Sequence, residues 1–309
     1  MSLSTGSLTA WVKDNGDLIP EMIAVVPTLQ RPEIMKYTGL KGTQRVSTID
    51  DTINIQADGC GLTDTGTTSL ASVSITVDDL TDFTSYCVND LNGYGVSNKM
   101  NAGSKDDQLP EEEIFVQNRL NKLSLAIQDI LWSAAKTGHN GRAATTYTST
   151  DGIERKIWEA SASTVNVTAT GLTSSNVVAG VDTITGNIPA DNQNVIPYYF
   201  YVPVSFANTI VQGLRTANLF SYQPDYDIMN GFVFPNALNV TIVPTQKLST
   251  SYAYLIPEKT ILFGTDLENE QENIDIWHEK KDNKVYFKTN WKQGVNVVRP
   301  ANIVRVRLA

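Results

Sequence analysis

The chain has 309 residues, 41% hydrophobic and 18% charged, a balance that supports a substantial folded core and excludes intrinsic disorder. Its 33 acidic residues against 24 basic ones give a net charge of -9, so the basic surplus used to grip a phosphate backbone is absent. No apolar run is long enough to span a bilayer, the N-terminus has no signal-peptide pattern, and Cys60 and Cys87 are too few for a disulfide framework; a chain made in a reducing cytoplasm, with no membrane partner, is expected.

Residues 1–40 carry little periodicity and read as an extended arm. Trp11, Ile19, Met22, Ile23, Val25, Val26 and Leu29 are scattered apolar anchors, interrupted by Pro20, Pro27 and Pro32. Such an arm cannot bury these side chains alone, so its own body or a neighbouring chain must cover them. Residues 45–56 alternate loosely through Val46, Ile49, Ile53 and Ile55, and residues 73–77 more cleanly through Val73, Ile75 and Val77. The polar run from Ala57 to Ser69 lies between, which predicts a projecting β-hairpin with little core of its own.

A helix is expected over 110–137. Pro110 suits its first position, and Glu111, Glu112 and Glu113 complement the positive end of the helix dipole. Val116, Leu120, Leu123, Ile127, Ile130 and Ala134 recur in steps of four and three along one face, and Lys136 and Gly138 signal the end. At 1.5 Å per residue such a helix is roughly 40 Å long, the length of a spine.

Residues 139–195 are dominated by Thr, Ser, Asn, Gly and Ala, with short β-prone pieces such as Ser163–Thr168. Tyr198–Val202 reads as an aromatic strand. A helix follows from Ser205, a plausible N-cap, to about Asn218, with Phe206, Ile210, Val211 and Leu214 on its buried face. Short strands are predicted at Val240–Val243, Tyr252–Ile256, Ile274–Trp277, Lys284–Thr289, Val295–Val298 and Ile303–Val306, with turns at Asp282-Asn283 and Gln293-Gly294.

Signs of catalysis are missing. His139 and His278 have no partner at metal-ligand spacing, and Cys60 has no flanking catalytic signature. Phosphate-binding loops and the Gly-x-Ser-x-Gly elbow are absent, and the pairs Asp50-Asp51, Asp78-Asp79 and Asp106-Asp107 lack the order of a calcium loop. No enzyme activity, cofactor or metal is expected.

The order of elements carries a resemblance. Ile196-Pro-Tyr-Tyr-Phe-Tyr-Val-Pro203 with Phe206 and Leu214, then Asn239-Val-Thr-Ile-Val-Pro244, resemble a strand, helix and strand of the axial domain in the major capsid proteins of tailed bacteriophages, the Hong Kong 97-type fold. Ile256–Asp266, Val285–Val295 and Arg299–Val304 are similar to that family's later strands, and Tyr86–Leu91 ahead of Leu109-Pro110-Glu111 is similar in the first half. The resemblance implies an α+β chain with an N-terminal arm at 1–40, an extended β-hairpin loop at 41–80 and a peripheral domain at 81–175 holding the spine helix. An axial domain at 176–284 and a peripheral return at 285–309 complete it.

The function implied is self-assembly through hexamers and pentamers into an icosahedral head, located in the virion, made in the host bacterial cytoplasm. Double-stranded DNA is enclosed without sequence-specific contact. A portal, decoration proteins and, given the short arm, a separate scaffolding protein are the implied partners. Some members cross-link subunits by a Lys–Asn isopeptide bond; the tip from Ala57 to Ser69 holds no lysine. The candidate contacts between subunits are Trp11, Ile19, Met22 and Ile23 of the arm, Arg45, Ile53 and Ile55 of the hairpin, and Glu111, Glu112 and Glu113, which either meet Arg45 or Arg142 on a neighbour or form a solvated helix end. The arm anchors are expected against adjacent subunits, with packing on their own peripheral domain as the alternative. Two other readings stay open: an encapsulin-type nanocompartment of the same fold, and a β-rich binding or adhesion module.

Overall fold

The computed structural model describes residues 26–52, 66–87, 111–137, 147, 149–193, 195–217, 231–235, 239–266, 274–279, 281 and 284–308; backbone alone is described for 50–52, 86–87, 111–118, 120, 274, 276 and 278. Their elements are β1 (Met35–Tyr37), β2 (Thr43–Thr52), β3 (Thr67–Thr76), β4 (Asp78–Cys87), α1 (Glu111–Ser133), α2 (Ile153–Glu159), β5 (Val165–Thr168), α3 (Val177–Thr185), β6 (Tyr198–Pro203), α4 (Val204–Thr216), β7 (Phe232–Val233), β8 (Val240–Thr245), β9 (Tyr252–Pro257), β10 (Ile261–Thr265), β11 (Ile274–Glu279), β12 (Lys284–Val297) and β13 (Val304–Arg307).

The long strand β12 organises a five-stranded sheet. Along one side it pairs antiparallel with β4 from Lys284↔Cys87 to Gln293↔Asp78. On the other side β11 and β10 lie end to end, pairing with its first and last parts, and β1 adds parallel to β10. A six-stranded sheet runs in the order β5-β13-β9-β6-β8-β7. Its centre is buried on both faces. Phe200, Val202, Ile242 and Leu255 face a core shared with α3 and α4, while Tyr201, Val243, Tyr254 and Ile256 face the core around α1. Burial on both faces is why Tyr198–Pro203 reads as an unbroken apolar run rather than an alternation.

The helix α1 packs into a core shared by both sheets. Its expected stripe is borne out among the described side chains: Leu123, Ile127, Ile130 and Ala134 are all buried, joined by Leu131 and Trp132. Each of the buried Leu and Ile side chains contributes roughly 1.5–3 kcal/mol of transfer free energy. The helix ends at Ser133, four residues earlier than expected. There the Ser133 hydroxyl bonds back to the Asp129 carbonyl, and the Lys136 amide leaves the helix to donate to Asp151 Oδ1 at 2.9 Å. At 23 residues it is about 35 Å long.

Residues 26–34, read as part of the arm, pack on their own chain. Val26 and Leu29 are buried beside α1, and the Thr28 hydroxyl accepts hydrogen bonds from Trp132 Nε1 (2.9 Å) and Gln128 Nε2 (2.7 Å).

Other differences have physical reasons. The returning hairpin strand begins at Thr67, not 73, because its outer part is exposed on both faces and so shows no apolar period. No turn divides β12 at Gln293-Gly294: Gly294 sits in mid-strand opposite Gly264. Ser205 lies inside α4, which begins at Val204 after Pro203. The Thr/Ser-rich middle contains two helices, α2 and α3, formed where Ile153 and Ile157, and Val177, Val181 and Ile184, are buried at helical spacing.

Candidate assembly surfaces

The strands β2 and β3 pair with each other in a separate two-stranded sheet, in register from Thr43↔Thr76 to Thr52↔Thr67. Alternation gives the hairpin two unlike faces. At its root, Ile75, Val46 and Val73 pack with Leu262, Val298, Met35, Tyr37 and Leu40. The opposite face presents Thr43, Arg45, Ser47, Ser72 and Ser74 to solvent. Farther out, Ile49 and Leu70 stand directly opposite each other, 56% and 76% exposed. This pair is the most exposed apolar cross-strand contact of the hairpin among the described residues, and nothing within the hairpin covers it.

A close approach seats the root. A Cβ at Gly294 would overlap the carbonyl of Thr76, its carbon at 2.8 Å, and a Cβ at Gly264 would lie 2.9 Å from both Ile75 Cδ1 and Leu40 Cδ1. Two glycines facing each other across β10 and β12 thus open a window into which the hairpin root fits. Asn296 Nδ2 donates to the Ser74 carbonyl (2.7 Å), and Arg299 Nη2 donates to the Ile49 carbonyl (3.1 Å).

The outer face of the five-stranded sheet carries a second apolar patch. Phe83 on β4, Tyr286 on β12 and Trp277 on β11 have ring centroids 5.3 to 6.1 Å apart with planes within 29°. Three rings stacked face to face would hold the outer two about 7 Å apart or more, so these form a shingled tile. Phe83 and Trp277 remain exposed. Exposed aromatic surface of this kind marks a protein's contact regions more often than its inert surface.

The joint between the residue 26–34 segment and the six-stranded sheet is polar and buried. Arg31 and Glu33 form an ion pair, the Tyr201 hydroxyl donates to Glu33 Oε1 at 3.2 Å, and the Arg31 guanidinium lies 5.4 Å from the Tyr199 ring centre. On the neighbouring strand β9, in register with Tyr201 and facing the same core, the Tyr254 hydroxyl donates to Glu154 Oε1 at 3.4 Å. Burial, reinforced by the Glu33 and Glu154 carboxylates, pushes the Tyr201 and Tyr254 phenols well above their usual pKa. These groups lock the fold together; Arg31 also lines a cavity of about 50 Å³ beside Pro27, Thr28, Gln128, Pro244 and Gln246.

Of the residues expected to make contacts, Arg45 is exposed on the outer face of the hairpin. Glu111, Glu112 and Glu113 form the first turn of α1, with their side chains outside the description. Trp11, Ile19, Met22, Ile23, Ile53, Ile55 and Arg142 lie outside the described residues. The exposed pair Ile49/Leu70 and the aromatic tile were not singled out from sequence. Leu70 fell between the polar run ending at Ser69 and the strand expected from Val73, and the tile joins three strands distant in the chain. Among the described residues no group of three or more His, Cys, Asp or Glu side chains is arranged to hold a metal ion, and no helix is long and apolar enough to cross a membrane.

No family model and no curated protein sequence matches the chain. Solved structures do. The chain is similar to a structure described as the capsid of Myoviridae phage XM1, with a TM-score of 0.58 at 12% identity over 92% of both chains. It is also similar to one from the satellite phage P4 procapsid, with a TM-score of 0.59 at 13% identity over 99% of this chain and 91% of the other. A third likeness is to the capsid of a native GTA particle, TM-score 0.53 at 13% identity, covering 92% and 90%. At this level of identity the likeness establishes the fold. It is the α+β fold of phage capsid proteins, the Hong Kong 97 type.

Proposed function

We propose that this chain is the major capsid protein of a tailed bacteriophage, a structural subunit that assembles with copies of itself through hexamers and pentamers into the icosahedral head around double-stranded DNA. The observation that carries the proposal is the match with phage capsid chains over nine-tenths or more of both partners. A second line of support is surface that a lone subunit leaves uncovered: the Ile49/Leu70 pair on a two-stranded hairpin and the Phe83–Tyr286–Trp277 tile. A closed shell repeats such patches around its symmetry axes and buries them there. The role is structural and non-catalytic.

In this reading the sheet built on β12, with the spine helix α1, is the peripheral domain, and the six-stranded sheet with α3 and α4 is the axial domain. The pairing supports assigning β10 and β11 to the peripheral domain and β5 and β13 to the axial one, a finer division than single cuts at 176 and 285. The arm anchors Trp11, Ile19, Met22 and Ile23, the hairpin residues Arg45, Ile53 and Ile55, and Glu111, Glu112, Glu113 and Arg142 are its subunit contacts, and Ile49 and Leu70 join them. A portal, a separate scaffolding protein and decoration proteins complete the head, which forms in the host bacterial cytoplasm. The net charge of -9 suits a container: an acidic wall does not adhere to the enclosed genome.

The test is the content of the particles. Particles recovered from infected or induced cells should protect long double-stranded DNA from nuclease and carry a portal. Particles filled with a protein cargo and no DNA would reassign the chain to a nanocompartment.

A further inference from the structure

The two strands of the hairpin pair only with each other, so each has one outer edge. In an antiparallel pair, residues alternate between those whose backbone N–H and C=O groups face the partner strand and those whose groups face away. Several bonds fix that phase here. The Val77 amide donates to the Gly42 carbonyl at 3.4 Å, which continues the ladder and places Ile75, Val73, Ala71 and Ser69 on the inward side. The Ser74 carbonyl instead accepts from Asn296, and the Ile49 carbonyl from Arg299. Ser74, Ser72, Leu70 and Thr68 on β3 therefore turn their backbone groups outward. Thr43 and Thr76, an outward pair by this phase, have side-chain oxygens 2.9 Å apart, as suits the pairs whose side chains stand closer.

Near the root the body seals the outer edge of β3: the Thr76 carbonyl abuts Gly294, and Asn296 takes the Ser74 carbonyl. From Ser72 to Thr68 the edge is open. These residues are exposed, and no group among the described residues meets their outward N–H and C=O groups. Nor is the edge guarded by its composition. Residues 67–76 contain no charge and no proline, whereas the other long strands β2, β4 and β12 all carry charged residues. Charges and prolines on edge strands are the usual defence against pairing with another chain. A hairpin of two strands is also marginal alone and gains stability from a third.

We propose that the edge of β3 from Thr68 to Ser72 is completed by a strand of a second copy of this chain, joined through backbone hydrogen bonds. Charge selects the occupant. Every copy carries a net charge of -9, so copies approach at least cost where no charge is present, while a basic partner would select an acidic edge. The contact is continuous with the exposed Ile49/Leu70 pair, since Leu70 belongs to both. The proposal rests on the assembly reading and adds its chemistry: a sheet shared between subunits, beside the side-chain contact.

The test is amide hydrogen exchange resolved to single residues, on the full chain unassembled and in particles. In the unassembled chain the Leu70 and Ser72 amides should exchange freely, while the Ala71 and Val73 amides, bonded within the hairpin, are slower. In particles the Leu70 and Ser72 amides should slow at least about tenfold. Ser72→Pro removes one outward N–H and leaves the inward bonds of the hairpin in place. It should keep the Ala71 and Val73 protection in the single chain yet abolish particles, while Ser72→Ala, which keeps the N–H, assembles like the parent. Freely exchanging Leu70 and Ser72 amides in particles, or Ser72→Pro particles in normal yield, overturns the shared sheet. If Ser72→Pro disturbs the hairpin, as read by lost Ala71 protection, the exchange comparison on the parent decides. Closed shells with those amides unprotected reject the edge and leave the capsid role standing. Protected amides in dimers or open filaments that never close into a shell would do the reverse, and a chain that never associates overturns both.

Discussion

Two glycines at the hairpin root should respond in opposite directions to the same substitution. In Gly294→Ala the new methyl group would overlap the Thr76 carbonyl, with the carbonyl carbon at 2.8 Å and Val77 Cα at 3.0 Å. All three atoms are backbone, so no rotamer relieves the clash. Restoring an ordinary carbon–carbon contact of about 3.5–4.0 Å requires the root to move on the order of 1 Å. That displacement lifts Ile75 and Val77 from the seat they share with Leu262 and Val298. Overpacking of this kind costs typically 1–3 kcal/mol, and a backbone-on-backbone clash belongs at the upper end, about 3 kcal/mol. At Gly42, at the same root, an added methyl group would meet no heavy atom within 4 Å, and the backbone there is not left-handed. Gly42→Ala should therefore be neutral or stabilise by up to about 1 kcal/mol, through the unfolded chain. Urea unfolding of the unassembled protein, followed by fluorescence and circular dichroism together, reads both. A loss below about 0.5 kcal/mol in Gly294→Ala, the size of an ordinary surface change, would refute the seat as the structure draws it.

Three further outcomes are expected. Ile49→Asp and Leu70→Asp, at exposed positions, should leave the unfolding midpoint of the single chain within about 0.5 kcal/mol of the parent yet abolish particles in sedimentation velocity; normal particles from both variants would remove this pair from the contacts. Tyr201 and Tyr254 keep their protons above pH 10 in the folded chain, chiefly because burial disfavours the phenolate, whereas in the unfolded chain they ionise near pH 10. The unfolded state then binds fewer protons, so stability is intact below pH 10 and falls as pH rises through the folded values; unfolding curves against pH should show this decline, and it should shrink in the Tyr201→Phe, Tyr254→Phe double variant. Arg119 grips both oxygens of Asp82 across the edge of the five-stranded sheet, and because the pair is partly exposed its loss in Asp82→Asn should cost only about 1 kcal/mol; a loss several times larger would mean the pair is effectively dry.

The elements legible in the sequence are those whose burial has a single period. The stripe from Leu123 to Ala134 announced the spine helix because one face of α1 meets the core, and β6, β8 and β9 were legible as compact apolar runs because both of their faces are covered. Helix α3 was hidden by Thr and Val, residues of modest helix propensity, and forms because the six-stranded sheet buries Val177, Val181 and Ile184. Strand β4 went unpredicted because Asp78, Asp79, Thr81 and Asp82 leave it without an apolar period; its partner is β12, some two hundred residues away. Gly294 looked like a turn for a related reason. A glycine in a strand marks a close approach as readily as a bend, and only the tertiary structure brings Thr76 to it. The assembly surfaces were the least legible part. Exposed apolar pairs such as Ile49 and Leu70 break no local rule, and the ring tile exists only once three distant strands are side by side.

The central claim is that this chain builds a closed icosahedral shell, and electron cryomicroscopy of the purified protein tests it most directly. The account predicts capsomers of five and six subunits and, with a scaffolding partner co-expressed, closed shells with icosahedral symmetry. A protein that stays monomeric at every concentration and salt condition, with or without such a partner, would contradict it.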